Sequence, residues 1–571
     1  MAREFTSVGV VGLGTMGVGI VEVFARSGVH VRAVEISADA LERGRATLTR
    51  STDRAVARGK LAPADRDALL SRVHFAVGLA ALDSVELVIE AVPERLDLKR
   101  RLFAELDRIC RPEAILATNT SSLSVTEIAV ATSRPGQVVG IHFFNPAPVM
   151  KLVEVVRTVV TAPDVVADTE ALCARLGKVA VTVDDRAGFV ANALLFGYLN
   201  QAVGMLEAQH ATREDLDAAM TLGGGLPMGP LALLDLIGLD TAVEILDTMY
   251  RHGGRNRRHA AVPLLRQLVT AGLLGRKSGR GFYTYQQPGS PVVVPDDRTP
   301  TPAGPAPVDG ARAVARVGVV GAGPRAAGIA EACATAGYEV IAVASDAALV
   351  DAALVDADLT DADLTRLADA DLVIEAVVGE PATRQALFAR LGESCRPGVV
   401  LATTGSLPVI GPAMASGRPA DVVGLHFAEP VPQRSLVEIV TTVRTSAEAT
   451  ATARAFCATL GRTGVVCPDR AGFVVDALLF GYLNDAVRML EARYATVDDI
   501  DHAMRLGCGY PVGPFELLDT VGLDVALSIQ RALYRESREP GLAPAPLLEH
   551  LVTAGHLGRR TGRGFRDHTA G

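Results

Sequence analysis

Cysteine is scarce in this sequence, and the few cysteines form no pattern. The seven are scattered and odd in number, with no C-x-x-C pair, which argues against both a disulfide framework and a zinc site. Each is interpreted as a small buried hydrophobic residue. Long apolar runs are also missing, since none approaches the ~18 residues of a membrane span, and the N-terminus lacks a signal-type apolar core. These absences predict a cytoplasmic protein with no metal site and no membrane partner.

An excess of positive charge is absent as well. The chain has 56 basic and 65 acidic residues and a formal net charge of −9, whereas nucleic-acid binders usually carry a basic face. Nucleic acid is therefore not an expected partner. A hydrophobic fraction of 49% beside 21% charged residues is typical of a globular protein. Because 571 residues exceed what one hydrophobic core usually supports, two to four domains are expected.

One long internal repeat organises the chain. The stretch G-F-V-A-N-A-L-L-F-G-Y-L-N-Q-A-V from Gly188 returns as G-F-V-V-D-A-L-L-F-G-Y-L-N-D-A-V from Gly472. The distance along the chain from Gly188 to Gly472 is far longer than the period of any solenoid, so it indicates a duplicated two-domain unit. Seven prolines between the copies predict an extended, semi-rigid linker with little capacity to pack. The predicted organisation is one domain at residues 1–186, a second at 187–285, the linker at 286–312, and counterparts of the two domains at 313–470 and 471–571.

The first copy opens with a dinucleotide-binding pattern. An apolar strand precedes Gly12, Gly14 and Gly17, which have the spacing G-x-G-x-x-G, and a helix and a second strand lead to Glu35. The glycines let the backbone approach a pyrophosphate, and the acid accepts hydrogen bonds from the ribose hydroxyls. A structural tight turn is the alternative. A 2′-phosphate beside Glu35 would be repelled by up to roughly 4 kcal/mol at an effective dielectric near 20, so NAD is favoured over NADP.

Three potentially catalytic residues lie between Asn119 and Glu154. Ser121, His142 and Glu154 lie on or beside apolar runs that are typical of buried strands, and parallel strands bring their ends to one edge of a sheet. Removing a hydride from a secondary alcohol requires the hydroxyl proton to leave, and a neutral imidazole suits that task at pH 7. His142 is the predicted base, and Glu154 would fix its tautomer and stabilise the cation. A structural His–Glu hydrogen bond is the alternative.

A basic helical face follows the second strand. Arg50, Arg54 and Arg58 are spaced so that they share one face of a helix, and Lys60 lies just beyond them. One interpretation is a solvated basic face. The other is a site for an anionic ligand tail, which is notable because the chain as a whole is acidic. After Gly188 the apolar residues recur at helical spacing, which predicts an all-helical second domain.

The ordered motifs of the first copy resemble one known family. N-T-S-S-L, H-F-F-N-P, K-L-V-E-V, G-F-V-A-N and P-M-G-P follow the glycine loop, as in the L-3-hydroxyacyl-CoA dehydrogenases, including the 3-hydroxybutyryl-CoA dehydrogenases. The resemblance implies an α/β Rossmann-type NAD-binding domain, then an all-α domain that binds substrate and mediates dimerisation. It also implies reversible NAD-dependent oxidation of an L-3-hydroxyacyl-CoA to the 3-oxoacyl-CoA, as in the β-oxidation of fatty acids.

The resemblance assigns roles to individual residues. It makes His142 and Glu154 catalytic and Ser121 and Asn192 the pair that orients the substrate. The implied NAD contacts are Gly12, Gly14, Gly17, Glu35, Glu94, Lys99, Ser121, Asn145 and Lys277, and the implied coenzyme A contacts are Thr52, Arg54, Arg58 and Lys60 on the helical arm.

Two other classes of function stay open. One is an NAD-dependent dehydrogenase of a free hydroxy acid or sugar acid, and the other is a non-catalytic nucleotide-sensing scaffold. The basic arm favours an acyl-CoA, because a free acid has no nucleotide tail to anchor. The intact set of Ser121, His142, Glu154 and Asn192 favours an enzyme over a scaffold.

The second copy keeps the histidine and the glutamate but loses other site residues. His426 and Glu438 have the spacing of His142 and Glu154, while Gly405 replaces Ser121 and the basic arm is shorter. These differences together predict a poor NAD and acyl-CoA site. The remaining replacements are Ala344 for Glu35 with Asp346 two residues on, Gly379 for Glu94, Arg384 for Lys99, Glu429 for Asn145 and Asp476 for Asn192.

The second helical domain stays closer to its partner. P-V-G-P-F-E-L-L-D-T-V-G-L-D from Pro511 matches P-M-G-P-L-A-L-L-D-L-I-G-L-D from Pro227. If the family dimerises through this domain, one chain can pair its own two copies, at an effective concentration in the millimolar range. We therefore predict an intramolecular pseudo-dimer in which the second copy is a structural partner and further self-association is open. Two independent units on a string are the alternative.

Overall fold

The structure is a computed structural model that describes residues 3–299, 309–344, 360–377 and 381–569. Within these ranges the chain forms two similar units, each with a mostly parallel sheet followed by a group of helices. The predicted fold class is confirmed. None of the described helices combines the length and the apolar character needed to cross a membrane.

The first sheet has eight strands in the order β3-β2-β1-β4-β5-β6-β7-β8. Neighbouring strands are parallel except β6 and β7, which are antiparallel. Its central strands are buried on both faces, as in a doubly wound sheet. The strands are Ser7–Val11 (β1), His30–Glu35 (β2), Val73–Val77 (β3), Leu87–Glu90 (β4), Ile115–Thr118 (β5), Val138–Phe143 (β6), Leu152–Arg157 (β7) and Val179–Asp184 (β8).

Helices cover this sheet, and local sequence signals set where several of them begin. The Ser37 side chain caps one helix by accepting a hydrogen bond from the Ala40 backbone N–H, and Pro63 starts the next, where a missing N–H costs nothing. The helices are Thr15–Arg26 (α1), Ala38–Ala57 (α2), Pro63–Ser71 (α3), Leu96–Ile109 (α4), Val125–Ala129 (α5) and Pro163–Arg175 (α6).

The second part of the first copy is helical, as predicted, except for the short strand Thr284–Tyr285 at its end. Asp217 fixes the start of its third α-helix by accepting hydrogen bonds from the backbone N–H groups of Leu231 and Ala232. The helices are Ala191–Glu207 (α7), Arg213–Ala218 (α8), Pro230–Ile237 (α9), Leu239–His252 (α10) and Pro263–Thr270 (α11), with a π-helical turn at Ala219–Gly223.

The start of the Pro-rich linker packs against the first copy, so the expectation of little packing is wrong for this part. Strand Thr284–Tyr285 (β9) pairs with strand Val293–Val294 (β10). Asp296 then forms an ion pair with the buried Arg213 guanidinium at 2.6 Å, and Thr299 accepts a second hydrogen bond from it at 2.9 Å. The sequence pattern did not reveal this, because the anchoring arginine lies far away along the chain.

The second sheet has seven strands within the described residues, in the order β12-β11-β13-β14-β15-β16-β17. Again one pair, β15 with β16, is antiparallel. The strands are Arg316–Val320 (β11), Glu339–Val343 (β12), Leu372–Glu375 (β13), Val400–Thr403 (β14), Val422–Phe427 (β15), Leu436–Thr441 (β16) and Thr463–Pro468 (β17).

The helices of the second copy follow the plan of the first. A second π-helical turn lies at Ala503–Gly507. The helices are Pro324–Thr335 (α12), Asp361–Thr365 (α13), Pro381–Ser394 (α14), Ile410–Ala415 (α15), Ala447–Thr459 (α16), Val475–Glu491 (α17), Val497–His502 (α18), Pro514–Val521 (α19), Leu523–Ser537 (α20) and Pro546–Thr553 (α21).

The two copies contact each other through their helical parts. Helices α7 and α17 pack together, and one continuous hydrophobic core runs through both copies. Arg258 forms an ion pair with Asp485 at 2.7 Å and is almost fully buried there. Its guanidinium also donates to the Gln201 side chain at 2.9 Å, and Gln201 donates to the Ala477 carbonyl at 2.9 Å.

Candidate active site

His142 and Glu154 are direct partners across two neighbouring strands. The register of β6 and β7 places them opposite each other, and His142 Nδ1 lies 2.7 Å from Glu154 Oε2. Both side chains are buried. Because β7 is antiparallel to β6, the two groups meet through cross-strand pairing, and the expected meeting of parallel strand ends is wrong for this pair.

The Glu154 carboxylate also anchors the helical part of the copy. Its second oxygen, Oε1, accepts hydrogen bonds from the backbone N–H groups of Val190 and Ala191, both at 3.0 Å. These N–H groups belong to the start of α7, where the helix dipole favours a negative charge. The carboxylate is thus held by three hydrogen bonds, and it links the sheet, the imidazole and the helix.

Ser121 lies on the other side of the imidazole ring. Its Oγ is 3.0 Å from His142 Nε2, and the Asn192 amide lies 3.5 Å from the Ser121 carbonyl oxygen. The structure therefore brings together all four residues that the sequence indicated for catalysis. It also shows an anchor for the loop after β5, because the Asn119 side chain accepts a hydrogen bond from the Phe143 N–H at 2.8 Å.

Two aromatic rings flank the imidazole, and sequence reasoning missed both. The ring centroids of Phe144 and Phe189 lie 4.6 and 5.7 Å from that of His142. The available signal was the presence of phenylalanine beside the histidine in H-F-F-N-P and at the start of G-F-V-A-N. Such rings limit the rotation of the imidazole and exclude water from it.

The glycine loop has the shape that a dinucleotide requires. A Cβ atom at Gly12 would lie 2.9 Å from the Ala91 carbonyl oxygen, and one at Gly17 would lie 1.8 Å from the Gly12 carbonyl oxygen. Gly14, by contrast, has nothing within 4 Å of that position, and it caps the N-terminus of α1. The outer glycines permit the tight turn and the close helix, while the middle one leaves the open face that a pyrophosphate can approach.

Acidic groups line the end of this crevice. Glu35 Oε1 accepts a hydrogen bond from the Leu13 N–H of the glycine loop at 2.7 Å. Glu94 Oε1 accepts one from the Ser121 N–H at 2.9 Å. Burial raises the pKa of Glu94, but the Lys99 charge and these hydrogen bonds lower it further, so its pKa is below the usual value. Glu94 is thus a carboxylate that orients the Ser121 loop.

Lys99 is fully buried beneath Glu94. Its ammonium group lies 2.7 and 3.0 Å from the two Glu90 oxygens and 3.3 Å from Glu94 Oε2. In this conformation Lys99 reaches the crevice only through Glu94. Glu90, the last residue of β4, was missed by sequence reasoning because it is part of the apolar run L-V-I-E-A-V.

The remaining predicted ligand contacts occupy different positions. Asn145 is exposed just after β6, and the Lys277 ammonium forms a hydrogen bond with Asp240 at 2.6 Å. Thr52 is fully buried, and its hydroxyl donates to the Leu48 carbonyl at 3.1 Å. A contact of Thr52 with coenzyme A stays a prediction. The other predicted contacts, Arg54, Arg58 and Lys60, are exposed at and just beyond the end of α2.

The second copy repeats the buried pair almost unchanged. His426 Nδ1 lies 2.7 Å from Glu438 Oε2, and Glu438 Oε1 accepts hydrogen bonds from the N–H groups of Val474 and Val475 at 2.8 and 3.0 Å. Glu438 therefore anchors α17 as Glu154 anchors α7. Two replacements named from the sequence, Asp346 and Gly379, lie outside the described residues.

The other side of the second imidazole differs from the first. A Cβ atom at Gly405 would lie 2.8 Å from the Arg384 guanidinium nitrogens, so this side chain fills the space that Ser121 has in the first copy. Ser406, which sequence reasoning missed, places its Oγ 3.3 Å from His426 Nε2. An Asp476 oxygen lies 3.9 Å from the same nitrogen.

Nearby charges also act on the second imidazole. Burial lowers the pKa of His426, but the hydrogen bond to Glu438 and the charge of Asp476 raise it more, so its pKa is above the usual value. The imidazole of the second copy thus lies between Glu438 and Asp476, and burial raises the pKa of Asp476 above its usual value although the charge of His426 opposes this. Arg325 of the second glycine loop also forms an ion pair with Glu429, which stands where the first copy has Asn145.

Comparison with known proteins identifies the two-domain unit. The family model described as 3-hydroxyacyl-CoA dehydrogenase, NAD binding domain, matches residues 7–186 and 352–470. The model described as the C-terminal domain of the same family matches residues 188–285 and 472–568. Each domain is therefore found twice, which confirms the predicted duplication, and NAD is confirmed as the cofactor.

Relatives match either one copy or the whole chain. A 3-hydroxybutyryl-CoA dehydrogenase of Mycobacterium tuberculosis is 48% identical over 287 residues, 50% of this chain and 100% of the relative. A 3-hydroxyadipyl-CoA dehydrogenase of Escherichia coli K12 is 32% identical over 559 residues, 97% of this chain and 100% of the relative. The crystal structure of an E. coli 3-hydroxybutyryl-CoA dehydrogenase is 30% identical, with a TM-score of 0.73 and coverage of 97% of this chain and 100% of that chain. The chain therefore belongs to the 3-hydroxyacyl-CoA dehydrogenase family and is an NAD-dependent oxidoreductase.

Proposed function

We propose that the first copy carries the active site and that it interconverts an L-3-hydroxyacyl-CoA and the 3-oxoacyl-CoA. The observation that carries this proposal is the position of His142 between Glu154 at Nδ1 and Ser121 at Nε2. The hydrogen bond to Glu154 keeps a proton on Nδ1, so Nε2 is free to accept one. NAD+ supplies the hydride acceptor when it is bound.

Each side chain then has a defined task. Nε2 of His142 takes the proton of the substrate hydroxyl as the carbonyl forms, and Glu154 stabilises the resulting imidazolium. The Ser121 hydroxyl and the Asn192 amide hold the reacting oxygen, which is a positioning role. The residues proposed to hold NAD are Gly12, Gly14, Gly17, Glu35, Glu94, Lys99, Ser121, Asn145 and Lys277.

Exposed cations on the helical arm support an acyl-CoA substrate over a free hydroxy acid. Arg54, Arg58 and Lys60 are free to face the phosphates of a nucleotide tail. The two relatives are named for a 3-hydroxybutyryl-CoA and a 3-hydroxyadipyl-CoA substrate, and both are acyl-CoA thioesters. We propose a cytoplasmic location as well, supported by seven cysteines that are all unpaired, as in reducing compartments.

The substrate class is tested by following NADH absorbance with an acyl-CoA substrate and, separately, with a free hydroxy acid. Acetoacetyl-CoA should be reduced efficiently, whereas free 3-hydroxybutyrate should be a poor substrate in the oxidative direction. The variant Arg54→Gln/Arg58→Gln should raise KM for acetoacetyl-CoA several-fold and leave KM for NADH unchanged, because only the thioester has a tail to bind. Arg43→Gln, on an exposed earlier turn of α2, is the matched control. Equal turnover of the free acid would contradict the proposal.

We further propose that the second copy is a structural partner within the same chain. Support comes from the packing of α7 on α17 and from the buried Arg258–Asp485 ion pair. The Tyr494 hydroxyl adds a hydrogen bond to the Asp184 carbonyl at 2.9 Å. Expression of residues 1–299 alone tests this role, and the fragment should lose most of its activity and thermal stability. A fully stable and active monomer of this fragment would remove the need for the second copy.

A further inference from the structure

A turn of the second copy packs against the catalytic strand of the first copy. A Cβ atom at Gly507, in the turn Ala503–Gly507, would lie 2.6 Å from Leu152 Cδ2 and 3.2 Å from Phe144 Cε1. Leu152 begins β7, the strand that carries Glu154. Glycine therefore permits an approach that any larger residue would prevent.

Phe144 connects this turn to the predicted base. One edge of its ring faces Gly507, and the ring centroid lies 4.6 Å from that of His142, with 54° between the ring planes. The aromatic contact limits the rotation of the imidazole about its χ2 axis. The hydrogen bonds to Glu154 and Ser121 orient the ring, and Phe144, which the second copy contacts from behind, adds a steric limit to that orientation.

The packing is reciprocal, but the ring contact is not. The first copy places its own turn against the second copy, where a Cβ atom at Gly223 would lie 2.5 Å from Leu436 Cδ2 and 2.9 Å from Val475 Cγ2. Leu436 begins β16, the strand that carries Glu438. At the position of Phe144, however, the second copy has Ala428, which has no ring to hold against the histidine.

We propose that Gly507 of the second copy is a positioning residue for the active site of the first copy, because it lets the turn hold Phe144 against the His142 ring. The first site is then completed by a residue from the other half of the chain. The inference rests on the proposed function, because it requires the two copies to pack together. It adds that the second copy acts on the geometry of the proposed base.

Two matched glycine substitutions in the full chain test the inference. Gly507→Ala and Gly223→Ala each place a methyl group close to a leucine of the opposite copy, at 2.6 and 2.5 Å, so both should lower the melting temperature to a similar extent. Only Gly507→Ala also crowds Phe144, at 3.2 Å from Cε1, and is expected to shift that ring. We expect it to lower kcat roughly tenfold with KM values within about twofold of wild type, because misorientation of the base affects the chemical step. The pH profile of kcat should also shift.

The control and a rescue variant define the alternatives. Gly223→Ala should keep the wild-type kcat and pH profile. Leu152→Val, added to Gly507→Ala, removes the methyl group that lies 2.6 Å from the new Cβ but leaves the contact with Phe144 at 3.2 Å, so it should restore much of the melting temperature and little of kcat. Wild-type kcat in Gly507→Ala, or an equal loss in both glycine variants, would overturn the inference.

A second variant covers the case in which Gly507→Ala does not fold. Phe144→Leu adds no atom at the interface and should give the same fall in kcat and the same pH shift, with NAD binding retained. Wild-type turnover in Phe144→Leu would also overturn the inference. If the 1–299 fragment is inactive but Gly507→Ala has normal turnover, only the inference is overturned. A fully active fragment would contradict both the inference and the proposed pairing of the two copies.

Discussion

The two copies hold a histidine–glutamate pair in the same place and differ on the other side of the imidazole. In the first copy, Nε2 faces the Ser121 hydroxyl at 3.0 Å. In the second copy, it faces the Ser406 hydroxyl at 3.3 Å and the Asp476 carboxylate at 3.9 Å. The carboxylate near Nε2 in the second environment favours the protonated form of that imidazole.

A histidine–glutamate pair alone does not indicate activity, because the glutamate also has a structural role in both copies. Glu154 and Glu438 each accept two backbone N–H groups at the start of a helix, which joins the sheet to the helical part of the copy. A buried carboxylate with this task is costly to lose even where no reaction occurs. The groups that face Nε2 are therefore the ones that we propose to separate an active first copy from a structural second one.

The largest expected difference between the copies comes from removing each histidine. His142→Gln should lower turnover by roughly 10²-fold or more, the usual contribution of a general base, and should leave NAD binding intact. Turnover is measured by NADH absorbance with acetoacetyl-CoA, and NAD binding by calorimetry.

The matched variant His426→Gln should change turnover by less than about twofold, because its imidazole is not in the proposed reaction path. Near wild-type turnover in His142→Gln would contradict the assignment of the base. A large loss in His426→Gln with a normal melting temperature would show that the second copy also carries the reaction.

The sequence predicted this contrast in part. The spacing between histidine and glutamate, the glycine loop and the loss of Ser121 at Gly405 were all visible in the printed residues. The sequence could not show that Ser406 lies near His426 Nε2, where the first copy has Ser121. The contact depends on the folded shape of the loop, and Ser406 is one position away from the residue that aligns with Ser121.

Long-range partners were equally hidden. Nothing in the local sequence indicated that Gly507 faces Phe144, or that Asp296 of the linker pairs with Arg213. Strand direction was another limit. A short apolar run is compatible with parallel or antiparallel pairing, so the cross-strand pairing of His142 with Glu154 required the structure.

A smaller difference is expected from the two serines. Ser121→Ala removes the hydroxyl that is proposed to hold the reacting oxygen, and the loss of one such hydrogen bond, about 1.4 kcal/mol, corresponds to about a tenfold fall in kcat/KM. Ser406→Ala is the matched change and should leave kcat/KM at the wild-type value. Initial rates at low acetoacetyl-CoA concentration measure both. Equal effects of the two substitutions would mean that the serines do not distinguish the copies.

The smallest expected effect is a pH dependence of stability that originates in the second copy. The pKa of His426 is above its usual value in the folded chain, because Glu438 and Asp476 outweigh the opposing effects of burial and of the Arg325 charge. A raised folded pKa stabilises the fold fully below the unfolded pKa, about 6.5, and the stabilisation is lost as pH rises through the folded value.

Chemical denaturation of the full chain between pH 6 and 9 should therefore show a fall in stability that His426→Gln reduces. Asp476→Asn removes one of the two carboxylates and introduces the residue that the first copy has at this position, Asn192. The loss of stability should then occur at lower pH. The imidazole signals of His426, assigned in NMR spectra by their absence in His426→Gln, report its titration directly. An identical pH dependence in wild type and in both variants would show that the pKa of His426 is not raised in the folded chain.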